Sequence, residues 1–130
     1  MVVELFIAGF GCLVLAAGHA AIGLQVVPHL TKRSAPATSF GSPALTASML
    51  IFTWHVVTLV LLTFAGLLLW LAWASDTESR TVLLRWIGAL WLAVTAMGIW
   101  MARRRLSTLI RLPVPVVSAV IAAMCWKASL

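Results

Sequence analysis

Charge is scarce in this sequence. Only 9% of its 130 residues are charged, and just three of them are acidic. An ordinary soluble domain carries about 25% charged residues. Asparagine is absent, and the two cysteines, Cys12 and Cys125, stand in separate apolar segments with no CxxC and no metal-ligand spacing. Both read as small buried hydrophobes. The chain has no phosphate-binding glycine loop, no nucleophile elbow and no HExxH, and Ser, His and Asp do not cluster as hydrolysis would require. An enzymatic reading therefore has no residue set to carry it.

What is present is apolar: 63% of the residues are hydrophobic. A soluble chain of this size keeps too much of its surface in water to hide that share, so the excess is expected to face lipid. The net charge of +6 does not indicate nucleic acid, because the basic residues fall between long apolar runs, as membrane-flanking charges do. The first segment opens Met1-Val2-Val3-Glu4 without a basic n-region and stays apolar well past the 7–15 residues of a signal-peptide core. It is expected to be retained as a span.

A membrane-crossing helix needs about 20 mostly apolar residues, and every backbone polar group inside lipid needs an internal partner, so each span is expected to be helical. The fold class that follows is all-α: a polytopic four-transmembrane-helix bundle forming a single domain over residues 1–130, with spans at 2–27, 47–74, 82–102 and 113–127. Pro28 is expected to end the first helix, and 29–46, rich in Pro, Ser, Gly and Thr, to be a loop. Ser75 and Glu78 have capping-box spacing, so the third helix is expected to start within the turn they occupy. The fourth span, opening near Pro113, is the shortest.

Charge gives the bundle a direction. The first and third connections carry Lys32, Arg33, Arg103, Arg104, Arg105 and Arg111 with no acid, whereas on the other face Arg80, Arg85 and Lys127 balance Glu4, Asp76 and Glu78. The positive-inside rule then places 28–46 and 103–112 in the cytoplasm and both termini outside, in a bacterial-type inner membrane. The Arg103–Arg105 cluster is read as a topology anchor that faces anionic lipid. Trp70, Trp73, Trp86, Trp126 and Trp100 fall near helix ends, at headgroup level, and Trp54 and Trp91 lie deeper, between helices.

Small residues mark packing faces. Ala8, Cys12, Ala16 and Ala20 recur at i, i+4 with Gly23 continuing the stripe, and Ser118/Ala122 with Ala119/Ala123 repeat the device in the fourth span. Such residues let helix backbones approach closely in lipid, either within one bundle or between copies or subunits of a larger membrane complex.

Two histidines lie inside the apolar segments. His19 precedes the cytoplasmic end of the first span, and His55 follows the cytoplasmic start of the second, by about nine residues each, which is roughly 13 Å of helix. Equal depth on consecutive antiparallel helices would let them meet, and both are expected to face inward, His55 sharing its face with Ser48 and more loosely with Thr58. An ionisable side chain at that depth is a functional-site candidate, and imidazole both ligates metals and carries protons. The residues leave three readings open: a hydrogen-bonded packing histidine, a metal or haem site on His19 and His55 with His29 as a third ligand if the chain folds back, and proton or solute transport. Haem between adjacent helices is tight, because packed helices stand only about 8–10 Å apart.

Gly18-His19 in the first span, with Phe52-Thr53-Trp54-His55 followed by Thr58 in the second, resembles a recurrent pattern in small bacterial four-span membrane proteins of uncharacterised activity. The resemblance covers the first half of the chain and implies the fold, not an activity. Small multidrug transporters place a glutamate deep in their first helix, where this chain has only the peripheral Glu4. The glycine- and asparagine-rich signatures of fluoride channels do not match. Cytochrome b subunits share basic loops and membrane histidines but differ in span number and flanking motifs.

Overall fold

The computed structural model describes residues 2–33, 42–74, 78–102 and 114–130, with backbone only at 26–33, 43–44, 78 and 101–102. Four helices fill these ranges: α1 (Val3–Arg33), α2 (Pro43–Leu71), α3 (Glu78–Ala102) and α4 (Val114–Lys127). Three of them are long and apolar enough to cross a membrane, over Val3–Gln25, Leu45–Leu71 and Ser79–Trp100. α4 is apolar but has only 14 residues.

The helix limits differ from expectation at two places. α1 does not stop before Pro28 but runs on to Arg33. Proline inside a helix forfeits the bond to the carbonyl four residues back and costs about 3 kcal/mol. Long apolar helices absorb this, because local adjustment re-satisfies the freed carbonyl. α2 begins at Pro43, earlier than expected. Ser42, extended at φ −150° and ψ 151°, caps it by accepting a 3.2 Å hydrogen bond from the Leu45 N–H. Pro43 follows at the first helical position, where its missing N–H costs nothing. Helix thus takes in both ends of the expected loop, and 34–41 lie outside the described residues. α3 begins at Glu78, within the turn expected to start it; Ser75 and the Glu78 side chain lie outside the described residues, as do Arg103, Arg104, Arg105 and Arg111.

The helices alternate in direction. Contacts step down α1 as they step up α2: Val2 donates its backbone N–H to the Ala72 carbonyl at 2.9 Å, Gly9 abuts Leu69, and Gly23 abuts Trp54. The same antiparallel progression joins α3 to α4, with Gly88 against Trp126 and Gly98 against Pro115. α1 and α4 are likewise antiparallel, with Gly11 against Ile121 and Glu4 paired with Lys127 at 3.1 Å. α1 therefore packs between α2 and α4, and α4 packs on α3. α2 and α3 meet through Phe64 and Trp91, edge to face at 6.0 Å.

The core is lopsided. Leu5, Ala8, Cys12 and Leu15 of α1 bury against Ala65, Leu68 and Leu71 of α2, Leu84, Ile87 and Trp91 of α3, and Ile121, Ala122 and Cys125 of α4. All lie in the half of the bundle that holds Glu4 and Lys127. The stripe Ala8, Cys12, Ala16 is buried as its spacing predicts, and Ser118/Ala122 face the core, whereas Ala119/Ala123 are exposed. Both cysteines are free, buried thiols.

Candidate functional site

Past Ala16 the apolar core ends, and α1 and α2 are held together by polar contacts. His19 is half-buried on α1. Its Nδ1 lies 3.0 Å from Thr58 Oγ1 on α2. Its ring stacks on Trp54 with centroids 4.3 Å apart and planes 17° from parallel. Trp54 Nε1 in turn donates to the backbone carbonyl of His19 at 2.9 Å. The indole fits because Gly23 presents no side chain: a Cβ there would run into the Trp54 ring.

Two proton arrangements satisfy this cluster with a neutral ring. The Thr58 hydroxyl can donate to the Trp54 carbonyl, 3.4 Å away, and accept from Nδ1–H, or it can donate to Nδ1 itself. In either case Thr58 spends one ring nitrogen of His19, leaving Nε2 as acceptor in the first and donor in the second.

The structure does not bring His19 and His55 together. His55 is exposed and makes no hydrogen bond among the described residues. Its expected inward orientation is thereby corrected. Successive helix residues are about 100° apart, and Trp54 occupies the position that faces α1, so its neighbour is turned away. Ser48 does share a face with His55, as expected, but that face points outward. Thr58, about 60° further round the helix, is half-buried and turned to His19. The side chain of His29 lies outside the described residues, and α1 continues through this position rather than folding back. Among the described residues no three His, Cys, Asp or Glu side chains are grouped to hold a metal ion.

Elsewhere the deep tryptophans behave as expected. Trp91 is buried and Trp54 half-buried, whereas Trp70, Trp73, Trp86, Trp100 and Trp126 are exposed. Glu4 pairs with Lys127 at 3.1 Å.

A second polar link was not foreseen. Thr95 of α3 and Ser118 of α4 are buried with their hydroxyl oxygens 2.9 Å apart. Thr95 is 2.9 Å from the Trp91 carbonyl, and Ser118 is 2.7 Å from that of Val114. Serine at a small-residue position signalled close approach. A threonine on the facing helix, recognisable only once the α3–α4 register is known, completes the link.

No protein-family model, no curated protein and no solved structure matches this chain.

Proposed function

We propose that this chain is a small four-span protein of a bacterial-type inner membrane that works by helix–helix association, as an accessory or assembly subunit rather than as a catalyst. The observation that carries the reading is the placement of polar groups on α2. Trp54 and Thr58 are used inside the bundle, but His55 and Ser48 are turned outward from a helix apolar enough to cross lipid. A polar side chain facing hydrocarbon is costly and calls for a partner. A neighbouring helix supplies one. The Gly18-His19 and Trp54-His55 motifs, which resemble those of other small four-span bacterial proteins, fit the same reading: one histidine of the pair serves the fold and the other the assembly.

Both termini lie outside on this proposal. The alternation of the helices brings Glu4 and Lys127 to one end of the bundle, and the Lys and Arg distribution assigns the other end to the cytoplasm. α4 rises about 21 Å, less than the hydrocarbon thickness of about 30 Å. Local thinning of the bilayer and snorkelling of flanking residues such as Lys127 accommodate so short a span. Metal or haem ligation by His19 and His55 of the same chain is disfavoured, because His55 is exposed and turned away from the Trp54 position that meets His19, and Thr58 engages one nitrogen of His19.

The test is photo-crosslinking in native membranes. A crosslinking residue at Phe52 or Leu59, on the His55 side of α2, is expected to give an adduct of defined size. The same residue at Val82 or Leu92 on α3, equally open to lipid, is expected to give none. Equal labelling from both helices, or none from either, would remove the reading.

A further inference from the structure

The association reading leaves the partner open, and the inference drawn here rests on it. Around α2, at 100° per residue, Ser48, Phe52, His55, Leu59, Leu62 and Gly66 fall on one narrow face. Every one of them is exposed, with Phe52 at 65% and Leu59 at 62%. This face is turned about 130° around the helix from the line of Trp54, Leu61, Ala65 and Leu68 that packs into the bundle. A Cβ at Gly66 would touch nothing within 4 Å, so the backbone there is open to close approach. His55 stands between Phe52 and Leu59, with the small residues Ser48 and Gly66 at the two ends of the face.

We infer that this face binds the same face of a second copy of the chain, with His55 paired to His55 of that copy across a two-fold axis. Two arguments select a second copy over a different protein. First, copies inserted by the same charge rule share one orientation, so a dyad relating them runs along the bilayer normal and brings equal residues to equal depth. In such an isologous interface a residue near the axis meets itself. Second, a residue that meets itself must be self-complementary. Neutral imidazole carries one donor and one acceptor nitrogen, so one ring can donate N–H to the bare nitrogen of the other. A lysine or a carboxylate at this position would repel its own copy. Ser48, a hydroxyl that both donates and accepts, has the same property. The burial of Phe52 and Leu59 against their counterparts supplies the van der Waals contact that drives helix association in lipid.

The experiment uses full-length protein, half labelled with donor and half with acceptor, reconstituted in phosphatidylcholine/phosphatidylglycerol vesicles, with energy transfer followed as lipid is diluted in. Wild-type protein is expected to show transfer that falls reversibly with dilution, and Leu59→Cys to form a disulfide dimer that Leu92→Cys does not. His55→Leu is expected to weaken association by about 3- to 20-fold, the range of a single interhelical hydrogen bond in lipid. His55→Gln, which also carries a donor and an acceptor, is expected to recover most of it. Gly66→Leu, at a position where an added Cβ meets nothing within 4 Å, is expected to disrupt the dimer with unchanged helical circular dichroism. Transfer no greater than random proximity, or transfer unaffected by His55→Leu and Gly66→Leu, overturns the inference. The native-membrane adducts then separate two failures. A monomer whose α2 crosslinks to a different protein overturns self-association alone, and a monomer with no adduct overturns the association reading as well.

Discussion

Gly23 and Gly18 stand five residues apart on α1 and carry opposite meanings. At Gly23 an added methyl would enter the Trp54 indole, whereas at Gly18 it would meet nothing within 4 Å. Gly23→Ala must displace Trp54, breaking its hydrogen bond to the His19 carbonyl and the ring stack together, and overpacking of this kind costs about 1–3 kcal/mol. Gly18→Ala replaces a poor helix former with the best one and is expected to gain up to about 1 kcal/mol. Unfolding in mixed micelles of increasing denaturing detergent should rank the variants Gly18→Ala, wild type, Gly23→Ala. Trp91 poses a different question, because its Nε1 is buried with no hydrogen-bond partner among the described residues. Trp91→Phe keeps an aromatic ring against Phe64 and removes the unsatisfied donor, whose burial costs about 1–3 kcal/mol. The lost ring area offsets part of that gain, so the same titration is expected to find this variant at least as stable as wild type, in contrast to the usual loss of about 3–5 kcal/mol for emptying such a site to alanine. Sequence made much of this visible. Both deep tryptophans and the alanine stripe follow from spacing and hydropathy. The histidines show where such reading stops: counting residues gives depth along a helix, but rotation about its axis depends on which neighbour wins the buried position. Trp54, larger and able to donate to a carbonyl, takes that position, and His55 is carried outward with it.

At the scale of helices, α1 and α2 are joined by two unlike devices in series. From Val2 to Ala16 the contact is apolar and continuous with the core. From His19 to Gly23 it is the Thr58–His19–Trp54 cluster, where Gly23 is the buried residue of α1. Thr58→Val keeps the shape of the side chain and removes the partner of His19 Nδ1. Interhelical hydrogen bonds in lipid average about 0.6 kcal/mol and reach about 1.7, so global stability should fall only by that much. The local effect is larger, since no apolar core backs up this half of the pair. Amide exchange is expected to rise across 17–25 and 50–58 and to stay unchanged at 5–15 and 64–71. A uniform change along both helices would mean that the cluster is ordinary core. The helix limits were only partly legible. Ser42-Pro43 is a start signal as plain as any in the chain, with its cap bond present, but it sits inside a stretch whose Pro, Ser and Gly content reads as loop. Pro28 carries the reverse error: a residue that ends helices in water is carried within α1, where one lost backbone bond is small beside those that remain.

The whole molecule is ordered α2–α1–α4–α3, with its core at the end that holds Glu4 and Lys127. No single helix reveals that order, because the sequence gives directions and faces but not which faces meet. It is the pairs Glu4–Lys127 and Thr95–Ser118, between residues far apart in the chain, that place α4 between α1 and α3. The alternation makes orientation a single choice for the bundle, and charge decides it. On the proposed topology the cytoplasmic side holds Lys32, Arg33, Arg111 and the cluster Arg103, Arg104 and Arg105, against Arg80, Arg85 and Lys127 on the other side. Neutralising the cluster with Arg103→Gln, Arg104→Gln and Arg105→Gln leaves Lys32, Arg33 and Arg111 facing an equal number of positive charges. Only the bias of Lys and Arg in short loops sets orientation, so the triple variant should insert both ways. A reporter fused after Leu130 is expected to read wholly external in wild type and to split between the two faces in the variant. Neutralising Arg80 and Arg85 instead should leave the wild-type pattern intact, since it widens the bias rather than erasing it. Mixed insertion has a consequence for association as well. Oppositely oriented copies cannot place His55 against its counterpart at equal depth along parallel α2 helices, so the triple variant should lose energy transfer most where the two orientations are equally populated, although Arg103, Arg104 and Arg105 lie far along the sequence from the α2 face.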